Sequence, residues 1–139
     1  MNPINVPTIP LDEAIARVTR FREKMLASAA VPENNVPRAI LIPIDDLLAI
    51  VQKYTTIDDE GNVKSALSGI RTYFAINSDD LNLPDKVTAL VVPVDLLGND
   101  IITTKTGDGL GDDEDDTEIY DFTKPCPDIC DRKSELYVP

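Results

Sequence analysis

Eleven prolines against only six glycines constrain this 139-residue chain more than any other feature. Proline fixes φ and donates no backbone hydrogen bond, so it ends or bends a regular element. It also pushes the residue before it out of the helical region. The chain must therefore fold from the stretches between prolines, joined by stiff connections. The first stretch, MNPINVPTIP (1–10), holds three prolines and reads as an extended leader.

The next stretch, LDEAIARVTRFREKMLASAA, is free of proline and reads as an amphipathic helix. Asp12 and Glu13 sit in its first turn, where the helix dipole favours negative charge. Glu13 and Arg17 form an i,i+4 pair in the better orientation. Leu11, Ala14, Ile15, Val18, Phe21, Met25 and Ala29 share one face. Arg22 projects near the middle of that face. It either snorkels to the edge of the stripe or lies beneath a sheet. In the second case it requires a partner, a carboxylate or the acidic tail, because a buried unpaired guanidinium is too costly to keep.

After VPENNVP, RAILIPIDDLLAIVQKY reads as a short buried strand turning at Pro43 into a second helix. Asp45 is the expected N-cap. TTIDDEGNVKSALSG is a polar connection with a turn at Glu60-Gly61-Asn62. GIRTYFAIN alternates, placing Ile70, Thr72, Phe74 and Ile76 on one face. KVTALVVPVDLL is a second long β-prone run, and a tight turn at Gly98-Asn99 leads to a third strand. Pro93 cannot donate to a ladder, which predicts that its strand lies at an edge or ends there. AILIPIDDL and ALVVPVDLL also echo one another at an offset of 50, as two β-prone runs each closed by proline.

These elements predict an α+β fold, with two amphipathic helices packed on a small antiparallel β-meander and an extended acidic C-terminal tail. The expected organisation is a leader at 1–10, a core domain at 11–105 and an acidic, cysteine-bearing tail at 106–139. The core is expected to join Ile15, Val18, Phe21 and Met25 to Leu47, Val51, Ile70, Phe74 and Val91.

Net charge is −12, and residues 106–139 carry eleven acids and three bases, a local excess of −8. A field of that sign opposes nucleic acid and anionic membranes, and attracts cations or basic protein surfaces. No apolar run reaches the roughly 18–20 residues of a membrane span. The start lacks the pattern of a secretory signal, so a cytoplasmic location is the default.

The chain has no histidine. That excludes Ser-His-Asp and Cys-His machinery and every histidine-containing metal site. No phosphate-binding or dinucleotide fingerprint is present. GDGLGDDEDD fails the EF-hand pattern in every frame. Asp112, Asp113, Asp115 and Asp116 remain a loose, weak calcium candidate within a self-repelling run. Cys126 and Cys130 form C-x3-C, half of a tetrahedral zinc shell, which a second subunit could complete. The default in a cytoplasm is two free thiols, with a disulfide as the alternative if the Cα atoms approach within about 7 Å. No resident cofactor is expected.

The tail is too apolar for a purely entropic bristle. Ile119, Tyr120 and Phe122, with Cys126 and Cys130, are the expected partner-binding residues. GIRTYFAI, the hairpin near GNDI and the ending IYDF…PCP…C together resemble a group of small uncharacterised bacterial proteins. The resemblance covers about the second half of the chain. It implies no activity, and no functional residue carries over. The chain reads as a non-enzymatic interaction or accessory protein engaging a protein partner through its acidic C-terminal segment. The alternative is a self-assembling homo-oligomer whose termini add to neighbouring sheet edges. An enzyme working through carboxylates alone is the weaker alternative.

Overall fold

The computed structural model describes residues 6–28, 32–77, 86–103 and 117–139. The fold is α+β. Helix α1 spans Leu11–Ser28, and a 3₁₀ turn at Glu33–Asn35 leads to β1 (Ala39–Leu41) and α2 (Ile44–Lys53). Then follow β2 (Thr55–Ile57), β3 (Val63–Ser65), β4 (Leu67–Asn77), β5 (Lys86–Asp95) and β6 (Lys124–Cys126). Among the described residues the strands pair not as one meander but as three antiparallel ladders: β1 with β6, β2 with β3, and β4 with β5. The polar connection after α2 is thus itself a hairpin. Of the third strand expected beyond Gly98-Asn99, the described residues show isolated bridges, Val94 to Asp100 and Thr103 to Thr117.

The order of the hydrogen bonds shows why β5 organises the fold. Val91 exchanges both backbone bonds with Tyr120, the Pro93 carbonyl accepts from Ile101 N, and Asp95 N donates to Asn99 O. Odd-numbered residues of β5 therefore bond away from β4, and even-numbered residues bond toward it. Pro93 is odd. Its missing donor faces the irregular side and costs the β4–β5 ladder nothing, so the strand continues through it to Asp95. That agrees with the expectation that Pro93 lies in an edge strand: β5 is half of a two-stranded ladder and has only isolated bridges on its other side among the described residues. β5 is covered on both faces, with Ala89, Val91, Val92, Pro93 and Val94 all buried.

Two turns share one design. In Asp58-Asp59-Glu60-Gly61-Asn62 and Asp95-Leu96-Leu97-Gly98-Asn99, the aspartate Oδ1 accepts from the backbone N–H groups two and four residues on. The glycine takes a positive φ, 82° and 87°. An aspartate folding its side chain back on its own turn is a recognised turn former. The echo between AILIPIDDL and ALVVPVDLL is not structural: Pro43 precedes a helix, whereas Pro93 lies inside a strand.

The buried apolar residues are Val36, Ile50, Ala89, Val91, Val92, Val94, Cys126 and Val138. Of the expected core, Val91 is buried, and Ile15, Val18, Met25, Leu47, Val51 and Ile70 are half-buried. Phe21 and Phe74 are exposed, Phe74 at 78%. The alternation along β4 holds, but β4 runs beyond its cover. Ile70 and Thr72 are half-buried, while Phe74 and Ile76 on the same face are not. The second helix starts at Ile44 after Pro43, without a side-chain cap, so Asp45 lies in the first turn and does not cap it. The Glu13–Arg17 ion pair forms at 2.9 Å.

Candidate functional site

The C-terminal residues singled out in the sequence are stitched into the fold from 117 onward. Glu118 N donates to Ile102 O, and Tyr120 pairs with Val91. Thr123 Oγ1 donates to Ala89 O at 3.0 Å, and Pro125 and Cys126 pair with Ile40 and Ala39. Tyr120 and Phe122 are half-buried, and Ile119 is exposed. Cys126 and Cys130 form a disulfide with Cα atoms 4.9 Å apart, in place of the free thiols expected. As a disulfide they hold no thiolate to share with zinc. Asp112, Asp113, Asp115 and Asp116 lie outside the described residues. Among the described residues, no cluster of three or more metal-ligating side chains occurs.

Glu118 holds this segment in place. It is 2% exposed, and accepts hydrogen bonds from Lys53 Nζ and from the Tyr120 hydroxyl. Burial alone would push its carboxyl up, but those bonds outweigh burial and hold it below the usual carboxylate range. Burial, with Glu118 adding to it, pushes both Tyr54 and Tyr120 up to about 12. The Tyr54 hydroxyl feels the carboxylate yet stays outside hydrogen-bond geometry. The group joins the end of α2 to the segment before β6. Nothing in its local sequence separates Glu118 from the acidic run beside it.

Two further surfaces stand out. The outer edge of β4 has no strand on it among the described residues. Because odd residues of β4 bond to β5, the N–H and C=O groups of Ile70, Thr72, Phe74 and Ile76 face outward. Phe74 also lines an apolar groove of about 510 Å³ with Phe21, Met25, Ile40 and Val87. Charge on β4 is confined to Arg71, which pairs with Asp100; Tyr73 donates to the same carboxylate.

The second is a cavity of about 600 Å³ between α1, the 3₁₀ turn and the loop after β6. Arg22, Arg38 and Arg132 line it, with Glu33, Asn34 and Tyr137. Arg22 is the most buried residue of α1, at 7% exposure. It does not snorkel. Its Nε and Nη1 are buried without a hydrogen-bond partner among the described residues. Arg38 Nη1 donates to the Val138 carbonyl, and its guanidinium stacks 3.8 Å from the centre of the Tyr137 ring. Burial first, and then the positive charge of Arg22, push Arg38 below its ordinary value. No family model, no curated protein and no solved structure matches this chain.

Proposed function

We propose that this chain is a non-enzymatic interaction protein that assembles with copies of itself, the leader of one copy adding as a strand to the β4 edge of the next. The observation that carries this reading is the β4 edge, which has no strand on it among the described residues and leaves Phe74 and Ile76 exposed at 78% and 62%. A long, apolar, unpaired edge is a template for strand addition. The edge is nearly free of charge once Arg71 is paired, so no like charges meet at the contact itself, and the repulsion between copies of net charge −12 is a longer-range effect that salt screens.

The leader suits the role by its sequence. Within residues 1–9 the prolines, at 3 and 7, fall on one parity and leave the donors of Ile4, Val6 and Thr8 on the other, until Pro10 closes the run. An added strand of this kind bonds fully on its inner side and presents prolines outward, which stops further growth at that edge. Val6 is exposed at 67%, ahead of α1. In the other candidate arm, Tyr120 already spends its backbone bonds on Val91 of β5. The acidic-segment reading therefore has less to stand on than leader exchange.

Light scattering of the full chain at rising concentration tests the reading. Wild type should form discrete or extended assemblies, and both Ile76→Lys and removal of residues 1–9 should return it to a monomer. Assembly that survives the truncation but not Ile76→Lys would mean edge-to-edge pairing of β4 without the leader. A monomer at every concentration would sink self-association.

A further inference from the structure

We propose that the cavity lined by Arg22, Arg38 and Arg132 is a binding site for a small organic phosphate, a phosphate monoester, independent of the assembly surface. Arg22 is the starting point. A guanidinium that is 7% exposed, with Nε and Nη1 unpartnered among the described residues, is far costlier than one that reaches solvent. Glu33 and Asp128 line the same cavity, yet neither carboxylate bonds to Arg22, and Asp128 is engaged by Lys86 at 3.3 Å. No described carboxylate partners Arg22, which leaves its Nε and Nη1 open to an anion in this cavity.

The arrangement favours phosphate over carboxylate. Three arginines reach the cavity from different parts of the chain: α1, the residue before β1, and the segment after the disulfide. A tetrahedral dianion presents three terminal oxygens to donors converging from different directions, whereas a planar carboxylate engages one fork. Arg38 is held ready by the Val138 carbonyl and by Tyr137, so little ordering remains to be done on binding. A volume of about 600 Å³ exceeds what a bare ion needs and matches an ordinary small-ligand pocket of about 300–1,000 Å³. The organic part would lie against Val36 and Pro127 on the wall.

Calorimetry and thermal melting of the full chain in phosphate-free buffer at constant ionic strength test this, with phenyl phosphate, inorganic phosphate and acetate as probes. Phenyl phosphate should bind saturably, one per chain, and raise the melting temperature, while acetate at the same concentration does not. Arg22→Met should melt higher than wild type without ligand, because it removes a buried unpaired charge. It should also bind phenyl phosphate at least about tenfold more weakly, the expected loss for one charge-assisted hydrogen bond. Arg132 is exposed, so Arg132→Gln leaves folding intact and should weaken the same binding a few-fold. Equal affinity for inorganic phosphate would support the site with phosphate itself as ligand. No saturable binding of either phosphate, or binding unchanged in both variants, overturns the proposal.

Discussion

Glu118 and Arg22 are both charged and both buried, and the difference between them is one of partners. Glu118 has Lys53 and Tyr120; Arg22 has none for Nε and Nη1 among the described residues. The Glu118 carboxyl lies below its unfolded value, so its ionised form favours the fold. Its contribution is fully present above the unfolded carboxylate range, near about 4.3, and is lost as pH falls through the folded value. Lys53 is raised by the same hydrogen bond, so its share is present below about 10.4 and is lost as pH rises through its folded value. Glu118→Gln should cost about 1–3 kcal/mol at pH 7, since Lys53 is half-exposed and can return to water. Denaturant midpoints of both proteins at pH 7 and pH 3 check this: the gap should narrow at the lower pH, and a constant gap would refute the assignment. Arg22 was partly legible in the sequence, because helical periodicity places it on the apolar face. Glu118 was not, because its partner Lys53 lies 65 residues away and periodicity reports only on neighbours.

At the scale of elements, the helices and long strands were readable where a local pattern sets them, and their pairing was not. Proline-free amphipathic runs marked α1 and α2, and alternation marked β4. Which strands share a ladder depended on long-range contacts, such as β1 with β6 across more than eighty residues, which no local window contains. The edge position of the Pro93 strand was legible, because a proline's missing donor must face the side without a ladder; which side that is depends on parity against β4, which the sequence alone does not show. The two D-x-x-G-N turns are legible in the sequence at their glycine-asparagine pairs, while the aspartate that closes each turn shows only in the structure. Their design yields a clean comparison. Gly61 and Gly98 sit at positive φ, while Gly69 does not, and none of the three has an atom within 4 Å of an added Cβ. Any cost of alanine is then backbone strain alone. Gly61→Ala and Gly98→Ala should each lose about 1–2 kcal/mol, whereas Gly69→Ala should be neutral or mildly stabilising, about 0.5 kcal/mol. Urea midpoints of the three variants decide it, and equal losses at all three would show that the turn conformation is not what matters.

Across the whole molecule, the C-terminal segment is where composition misled most and where the fold closes. Residues 106–139 carry two-thirds of the excess charge, −8 of −12, which suggests a solvated extension. Yet Cys126 and Val138 are core residues, and the Val138 carbonyl receives Arg38. Charge measured over a window averages the acidic run with the apolar residues that follow it, and so hides the docking of the latter. Burial of Tyr120 and Phe122 contributes about 1.5–3 kcal/mol per large side chain if complete. That only approaches the cost of ordering the backbone, about 1–2 kcal/mol per residue. The backbone bonds to Val91, the Lys53–Glu118 pair and the Cys126–Cys130 bridge supply the remainder, and all of them lie within one chain. Hydrogen exchange should therefore find the amides of Glu118 and Tyr120 slow, in step with Val91, and equally slow on tenfold dilution. Fast exchange at Glu118 and Tyr120 beside a slow Val92 would mean that the segment is undocked in solution. Protection lost on dilution would mean instead that it docks on a neighbouring copy. That outcome would return Tyr120 and Phe122 to the list of assembling arms and remove the main reason for choosing the leader.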